Sequence, residues 1–308
     1  MNKNMRNAVY GVAVGDALGC PVQFESRAEV RTHPVTGMRG YGTFNLPEGS
    51  WTGDTSLTLC AAHSIRELNR VDAEDIMKRF CAWMYDGEYT PFGFSYDIGN
   101  GTMNAINTYR RERDIHTCGG TGPRNNGNGS LMRIAPVCVW AADNTSNDAE
   151  MIALIDEVSA LTHGHPRSKT ACGLYGFMMR AIIWETGTLR ERLQSGIDQG
   201  FAYYTEKGEP ELKTYARIRD LNAFAKTDVH EINSSGYVVD ALEAALWCLI
   251  TEDSFKEALL KAVNLGEDTD TTAAIAGGLA GLYYGMDAIP ADWLSALKNR
   301  ELIDRILL

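Results

Sequence analysis

Thr271-Thr272-Ala273-Ala274-Ile275-Ala276-Gly277-Gly278-Leu279-Ala280-Gly281-Leu282-Tyr283-Tyr284 is a helix-like run with three glycines inside it. Each interior glycine costs a helix about 1 kcal/mol relative to alanine. Small side chains offset that cost where they let neighbouring helices approach closely. The segment is therefore expected to be a central, buried helix. Upstream, Val238, Ala241, Leu242, Ala245, Leu246 and Leu249 recur at the spacing of one helix face. Leu57, Cys60, Ala61, Ile65 and Leu68 do the same. Segments near 72–85, 97–112, 147–162, 168–186, 189–203, 210–225 and 254–264 are also helix-like. Strand alternation is scarce. Asn126-Gly127-Asn128-Gly129 holds a turn dipeptide, but a helix-like segment follows it rather than a second strand. The expected class is all-α. No Pro/Ser-rich linker divides the chain, so one domain spanning 1–308 is expected. Loops near 24–53, 86–96 and 113–129 hold much of the Gly, Pro and Asn, and loops of this length in a compact domain often carry function.

The charge narrows the function classes. The 308 residues carry 29 Lys+Arg against 40 Asp+Glu, a net charge of −11. Nucleic acid is not an expected partner, because phosphate neutralisation needs a cationic face. The seven cysteines stand singly, form no CxxC pair and suit no zinc site. They fit a reducing cytoplasm. Lys3 and Arg6 precede the apolar run Ala8 to Val14, and Ala17-Leu18-Gly19-Cys20 imitates a lipoprotein cleavage site. Asp16 interrupts that pattern, so the stretch is read as the first helix of the fold. No stretch approaches the roughly 18 apolar residues of a membrane span, and no membrane partner is expected.

Chemistry concentrates at the start of the buried helix. Gly266-Glu267-Asp268-Thr269-Asp270-Thr271-Thr272 sets two carboxylates two residues apart, followed by hydroxyls. Such hard oxygen ligands suit Mg²⁺, Mn²⁺ or Ca²⁺. The same residues also make an ordinary helix cap. Two acids packed onto a buried helix start repel each other without a cation, which tilts the reading towards metal. Ala273 and Leu279 stand where an EF-hand needs glycine and glutamate. Trp51-Thr52-Gly53-Asp54-Thr55-Ser56 is a second such start, by itself a helix cap. Together the two segments could face each other across one cation site.

Further candidate contacts are less specific. Asn128-Gly129-Ser130 opens a helix-like segment and could hold a phosphate on backbone N–H groups, or be a simple turn and cap. Thr162-His163-Gly164-His165-Pro166 offers a histidine or a helix end. Ser234-Ser235-Gly236-Tyr237 offers an aromatic for a base, or core filler. Asp16 is expected to be structural. No nucleophile elbow, Walker loop, GxGxxG or HExxH is present.

Seven stretches in this order resemble the ADP-ribosylglycohydrolase family, whose best-known type removes ADP-ribose from dinitrogenase reductase. They are Gly15-Asp16-Ala17-Leu18-Gly19, Trp51 to Thr55, Asp97-Ile98-Gly99-Asn100, Asn128 to Arg133, Thr162 to His165, Ser235 to Asp240, and Gly266 to Thr271. The resemblance spans about residues 8–285. It implies an all-α, compact orthogonal multi-helix fold with a dinuclear Mg²⁺ or Mn²⁺ centre. It also implies Thr52, Asp54, Asp268, Asp270 and Thr271 as metal ligands, with Asp97 close to the metals and the scissile ribose. Asn128, Gly129 and Ser130 would hold the diphosphate or adjacent ribose, and His163 and Tyr237 would line the ADP-ribose cleft.

Two departures bear on the chemistry. Many members read Thr-Asp-Asp where this chain has Thr52-Gly53-Asp54, so one of two expected metals loses a ligand. Many carry glutamate where Gln23 stands here, and glutamine shuttles no proton. Gln23 remains a candidate substrate contact, and an acid/base role passes to Glu25, Asp54, Asp97 or metal-bound water. The expected activity is metal-dependent hydrolysis of the bond between ADP-ribose and a modified protein side chain, arginine first, with serine, a nucleic-acid end or a free ADP-ribose derivative left open by the sequence. An ADP-ribose-binding protein with little turnover, because of Gly53 and Gln23, is the alternative. A purely structural descendant would have little reason to keep Asp54, Asp268 and Asp270 together.

Overall fold

The structure, a computed structural model, describes residues 2–308. Its order begins with α1 (Lys3–Gly19), α2 (Arg27–Thr32), α3 (Gly53–Leu68), α4 (Ala73–Asp86) and α5 (Asn100–Glu112). It continues with α6 (Ala135–Asn144), α7 (Asp148–Ala160), α8 (Pro166–Trp184), α9 (Leu189–Glu206) and α10 (Leu221–Phe224). It closes with α11 (Val238–Thr251), α12 (Phe255–Val263), α13 (Thr269–Tyr284), α14 (Ala291–Ala296) and α15 (Arg300–Leu307). Among the described residues there is no named strand, only the isolated bridges Gly120–His163 and Gly127–Tyr237. The all-α expectation holds. No helix among them is long and apolar enough to cross a membrane.

The centre is the crossing of α1 and α13. They run antiparallel, with Asn7 against Gly281, Gly11 against Gly277, Gly15 against Ala273 and Gly19 against Asp270. The approach is backbone to backbone. A Cβ on Gly11 would lie 2.0 Å from the Gly277 carbonyl oxygen, and one on Gly277 would lie 2.1 Å from that of Gly11. This is why α13 tolerates its glycines. Thr269 Oγ1 closes the site end of the crossing by donating to the Gly19 carbonyl at 2.8 Å. The buried apolar side chains form one continuous cluster around this pair.

Several boundaries differ from the sequence reading for local reasons. The helix expected from 97 starts at Asn100, because Asp97 sits in the left-handed region at φ +52°. The loop expected over 24–53 contains α2, held by a capping box between Ser26 and Glu29. The helix expected over 210–225 is a 3₁₀ stretch, Pro210–Ile218, followed by the single turn of α10. Asn128-Gly129-Ser130 does not open a helix. A three-residue 3₁₀ turn, Leu131–Arg133, intervenes before α6. His165 is a helix start rather than an end: its side chain caps α8 by accepting from the Arg167 N–H at 3.1 Å.

Candidate active site

Asp16 connects the central crossing to the site. It projects from α1, fully buried, onto the start of α3. Its carboxylate accepts the Thr52 N–H at 2.9 Å, the Thr55 N–H at 2.9 Å and the Thr55 hydroxyl at 2.6 Å. The structural role expected for Asp16 is what these bonds describe. Burial pushes its carboxyl up to about 6, against the opposing pull of the Thr55 and Thr52 bonds. Thr52 is the N-cap of α3, as its sequence suggested.

The two acidic helix starts meet here. Thr52 Oγ1 lies 3.2 Å from Asp54 Oδ2 and 3.4 Å from Asp270 Oδ2, across 218 positions of sequence. Asp54 is 2% exposed and Asp270 is fully buried. Asp270 Oδ1 accepts the Thr271 N–H at 2.9 Å. Asp54 Oδ1 is buried and has no hydrogen-bond partner. Burial first, and then the charges of Asp16, Asp268 and Asp97, push Asp54 well above the usual carboxylate range. Burial and the charges of Asp54, Asp268, Asp97 and Asp16 do the same to Asp270.

Hard oxygen donors with an orphaned buried carboxylate oxygen fit a divalent cation. Among the described residues, no three His, Cys, Asp or Glu side chains are grouped so as to hold an ion by themselves. The compact part of the donor set is Thr52 with Asp54 and Asp270.

Asp97 and Asp268 stand on the open side of these groups, in the wall of one cleft with Asp54 and Thr271. Asp97 accepts the Gln23 side-chain N–H at 3.1 Å. Burial pushes Asp97 up to about 6, with the Gln23 bond opposing and the Asp268 charge adding. Asp268 accepts the Asn128 side-chain N–H at 2.7 Å.

The rest of the cleft has the opposite character. The start of α5 has Gly99 as its cap, with no side chain bonded to the free N–H groups. Gly99, Asn100, Gly101 and Thr102 line the cleft beside Gly127 and Gly129. His163 closes this end. A Cβ on Gly129 or Gly101 would lie 3.1 or 3.2 Å from His163 Nε2. The ring is neutral: burial first, and then Arg133, pull its pKa down to about 3. Arg133 donates to Thr162 Oγ1 at 2.7 Å, and that hydroxyl lies 2.7 Å from His163 Nδ1. His163 Nε2 faces the glycines. Backbone N–H groups at a helix start suit an anion.

Most of the candidate residues converge. Gln23, Asp54, Asp97, Asn128, Gly129, His163, Asp268 and Thr271 line one cleft, with Thr52 and Asp270 beneath its floor. Three candidates fall elsewhere. Ser130 is fully buried, its hydroxyl accepting from Ser159 at 2.9 Å, because the 3₁₀ turn rotates it inwards. Tyr237 does not line the cleft, and its hydroxyl accepts from Arg167 at 2.9 Å. Glu25 does not line the cleft, and its backbone is paired with Glu267. Phe24, Thr102 and Met132 are cleft residues that the motifs did not single out. For Thr102, the Gly99-Asn100-Gly101 turn ahead of a helical pattern was the available signal.

The sequence model of the ADP-ribosylglycohydrolase family matches residues 2–308. The chain is 34% identical over 303 residues to ADP-ribosylarginine hydrolase Tri1 of Serratia proteamaculans (strain 568), covering 98% of this chain and 77% of that one. It is 31% identical over 299 residues to the ADP-ribosyl-[dinitrogen reductase] glycohydrolase of Rhodospirillum rubrum, covering 95% and 90%. A solved structure titled ADP-ribosylglycohydrolase-related protein complex superimposes with a TM-score of 0.77 at 32% identity, over 99% of this chain and 95% of that chain. By sequence along its length and by fold, this chain belongs to the ADP-ribosylglycohydrolase family.

Proposed function

We propose that the protein hydrolyses the N-glycosidic bond joining C1″ of ADP-ribose to an arginine side chain, with a divalent cation as cofactor. The observation that carries this reading is the bipolar cleft. One end gathers Asp54, Asp97 and Asp268, and the other presents the start of α5, whose N–H groups no side chain caps, beside His163. A ribose diol with a cation suits the first end, and a diphosphate suits the second.

Thr52, Asp54, Asp268, Asp270 and Thr271 would hold Mg²⁺ or Mn²⁺. When bound, the cation supplies Lewis-acid polarisation of an oxygen and relieves the repulsion among the carboxylates. Asp97 is the general base. It faces the cleft, and its raised pKa brings it closer to working pH than a free aspartate. It takes the proton of the attacking water as oxygen bonds to C1″ and the C1″–N bond breaks. Gln23 aims the Asp97 carboxylate through its 3.1 Å bond.

Gln23 also bears on the linkage. A serine linkage needs an acid to protonate a departing alkoxide. A ribosylated arginine already carries the guanidinium charge. It departs as neutral guanidine, with the charge passing to the ribose, and then receives the proton lost by water. A glutamine in place of an acid is compatible with the arginine linkage.

Incubation with an ADP-ribosylated arginine peptide and Mn²⁺ is expected to release ADP-ribose, and chelation to stop it. Tight ADP-ribose binding with no release from arginine or serine peptides would instead leave a binding protein. Gly53 gives a separate check on the cation. A Cβ there would make only ordinary contacts, 3.4 Å from the Asp97 carbonyl oxygen and the Trp83 ring. Gly53→Asp is expected to tighten Mn²⁺ binding by about tenfold, read by titration calorimetry, through one added carboxylate. Unchanged affinity would remove this position from the ion's surroundings.

A further inference from the structure

Phe24 is 67% exposed in the wall of the cleft, on the backbone next to Gln23. It holds the left-handed conformation, φ +70°, which is strained for an aromatic residue. Two backbone bonds fix it there. Its N–H donates to the Glu267 carbonyl at 2.7 Å, and the Glu267 N–H donates to the Glu25 carbonyl at 2.7 Å. Glu267 is itself left-handed at φ +63°. Two strained residues thus pin each other at the acidic end of the cleft. Phe44 meets the Phe24 ring edge-on, at 6.4 Å and 68°. Phe44 rests in turn on Tyr96, 5.5 Å away, beside Asp97. The fold strains its backbone to present an aromatic face to solvent.

We propose that Phe24 is a specificity-determining residue whose ring stacks on the guanidinium of the modified arginine. This deepens the arginine-hydrolase reading and rests on it. The ring stands at the end of the cleft where the carboxylates gather, which is where the leaving group emerges once the ribose sits over them. A guanidinium is a planar, weakly hydrated cation that stacks on aromatic faces. The negative wall of Asp54, Asp97 and Asp268 draws the same charge. A seryl or other neutral side chain gains from neither.

The interaction holds the substrate cation before its charge moves to the ribose, so its loss falls on KM. Phe24→Leu is expected to raise KM for an ADP-ribosylarginine peptide by about fivefold to thirtyfold, with kcat unchanged or slightly raised. Phe24→Trp is expected to restore KM to within about twofold of the parent. Inhibition by free ADP-ribose, which lacks the guanidinium, is expected to be the same in all three proteins. A parental KM in Phe24→Leu would overturn the proposal and leave the arginine reading standing. So would an equal loss of ADP-ribose affinity, because it would place the ring against the ribose. No release of ADP-ribose from the peptide by the parent protein would overturn the arginine reading and this proposal together.

Discussion

Asp54→Asn is expected to give a protein that melts higher without a cation and releases ADP-ribose at least about 10³-fold more slowly. The two effects come from one atom group. Asp54 is buried, one of its oxygens has no hydrogen-bond partner, and three other aspartates push against its charge. Asparagine keeps the shape, removes that charge, and can donate to a neighbouring carboxylate. Relief of about 1 kcal/mol corresponds to roughly 1.5 °C in a chain of this length, at an unfolding entropy of about 2.1 cal/mol/K per residue. The same change removes a hard anionic donor from the compact set of Thr52, Asp54 and Asp270. Electrostatic partners of a reacting centre commonly contribute about 10²- to 10³-fold each, and loss of the cation adds to that. A site that is destabilised by what makes it work shows this opposition of stability and activity. The check is a melting curve with and without Mn²⁺, beside the ADP-ribose release rate. Parental melting and parental release together would mean that Asp54 neither strains the fold nor serves the reaction. The shift of the parent on adding Mn²⁺ is expected to shrink in the variant, because fewer charges await the ion.

The acidic half of this site was legible because its signals are local. A helix start announces itself through Thr, Asp and the apolar pattern that follows, so Thr52-Gly53-Asp54 and Asp268-Thr269-Asp270 could be read as starts. Their convergence came from the family resemblance and from the charge argument, not from periodicity. The anion end was harder. Its helix terminus belongs to α5, and Asp97, three residues before the helix starts, is left-handed without being glycine. Ser130 and Tyr237 failed for a related reason. Where a segment is neither helix nor strand, no period says which way a side chain points. A 3₁₀ turn sent Ser130 inwards, and Arg167 holds the Tyr237 hydroxyl. Phe24 gave no signal at all, since its exposure follows from backbone pairing with Glu267, 243 residues away by number (267 − 24). The buried helix was legible, but its partner was not identified from the glycines of α1.

That partner gives the second large effect. Gly277→Leu is expected to cost at least about 3 kcal/mol, a melting loss of roughly 5 °C or more, or to prevent accumulation of folded protein. The reason is that nothing flexible stands in the way. A Cβ at Gly277 would meet the Gly11 backbone oxygen at 2.1 Å and carbon at 2.8 Å, so only a shift of α1 against α13 can admit it. Gly37→Ala is the control, since its nearest neighbour would be the Trp293 side chain at 3.6 Å, and it is expected to melt within about 1 °C of the parent. Gly19→Ala separates scaffold from site. Its Cβ would press on the Asp270 N–H nitrogen at 2.4 Å, at the end of the crossing where Thr269 is tied to Gly19. Displacing Asp270 opens its 3.4 Å approach to Thr52. This variant is expected to lose a larger share of Mn²⁺ affinity than of melting temperature, and Gly277→Leu the reverse. If both variants lost the two quantities in the same proportion, the crossing would act only as a core. The close approach of α1 to α13 is needed because each helix positions one half of the acidic site: Asp16 of α1 holds Thr52 and Thr55 on either side of Asp54, while α13 carries Asp270.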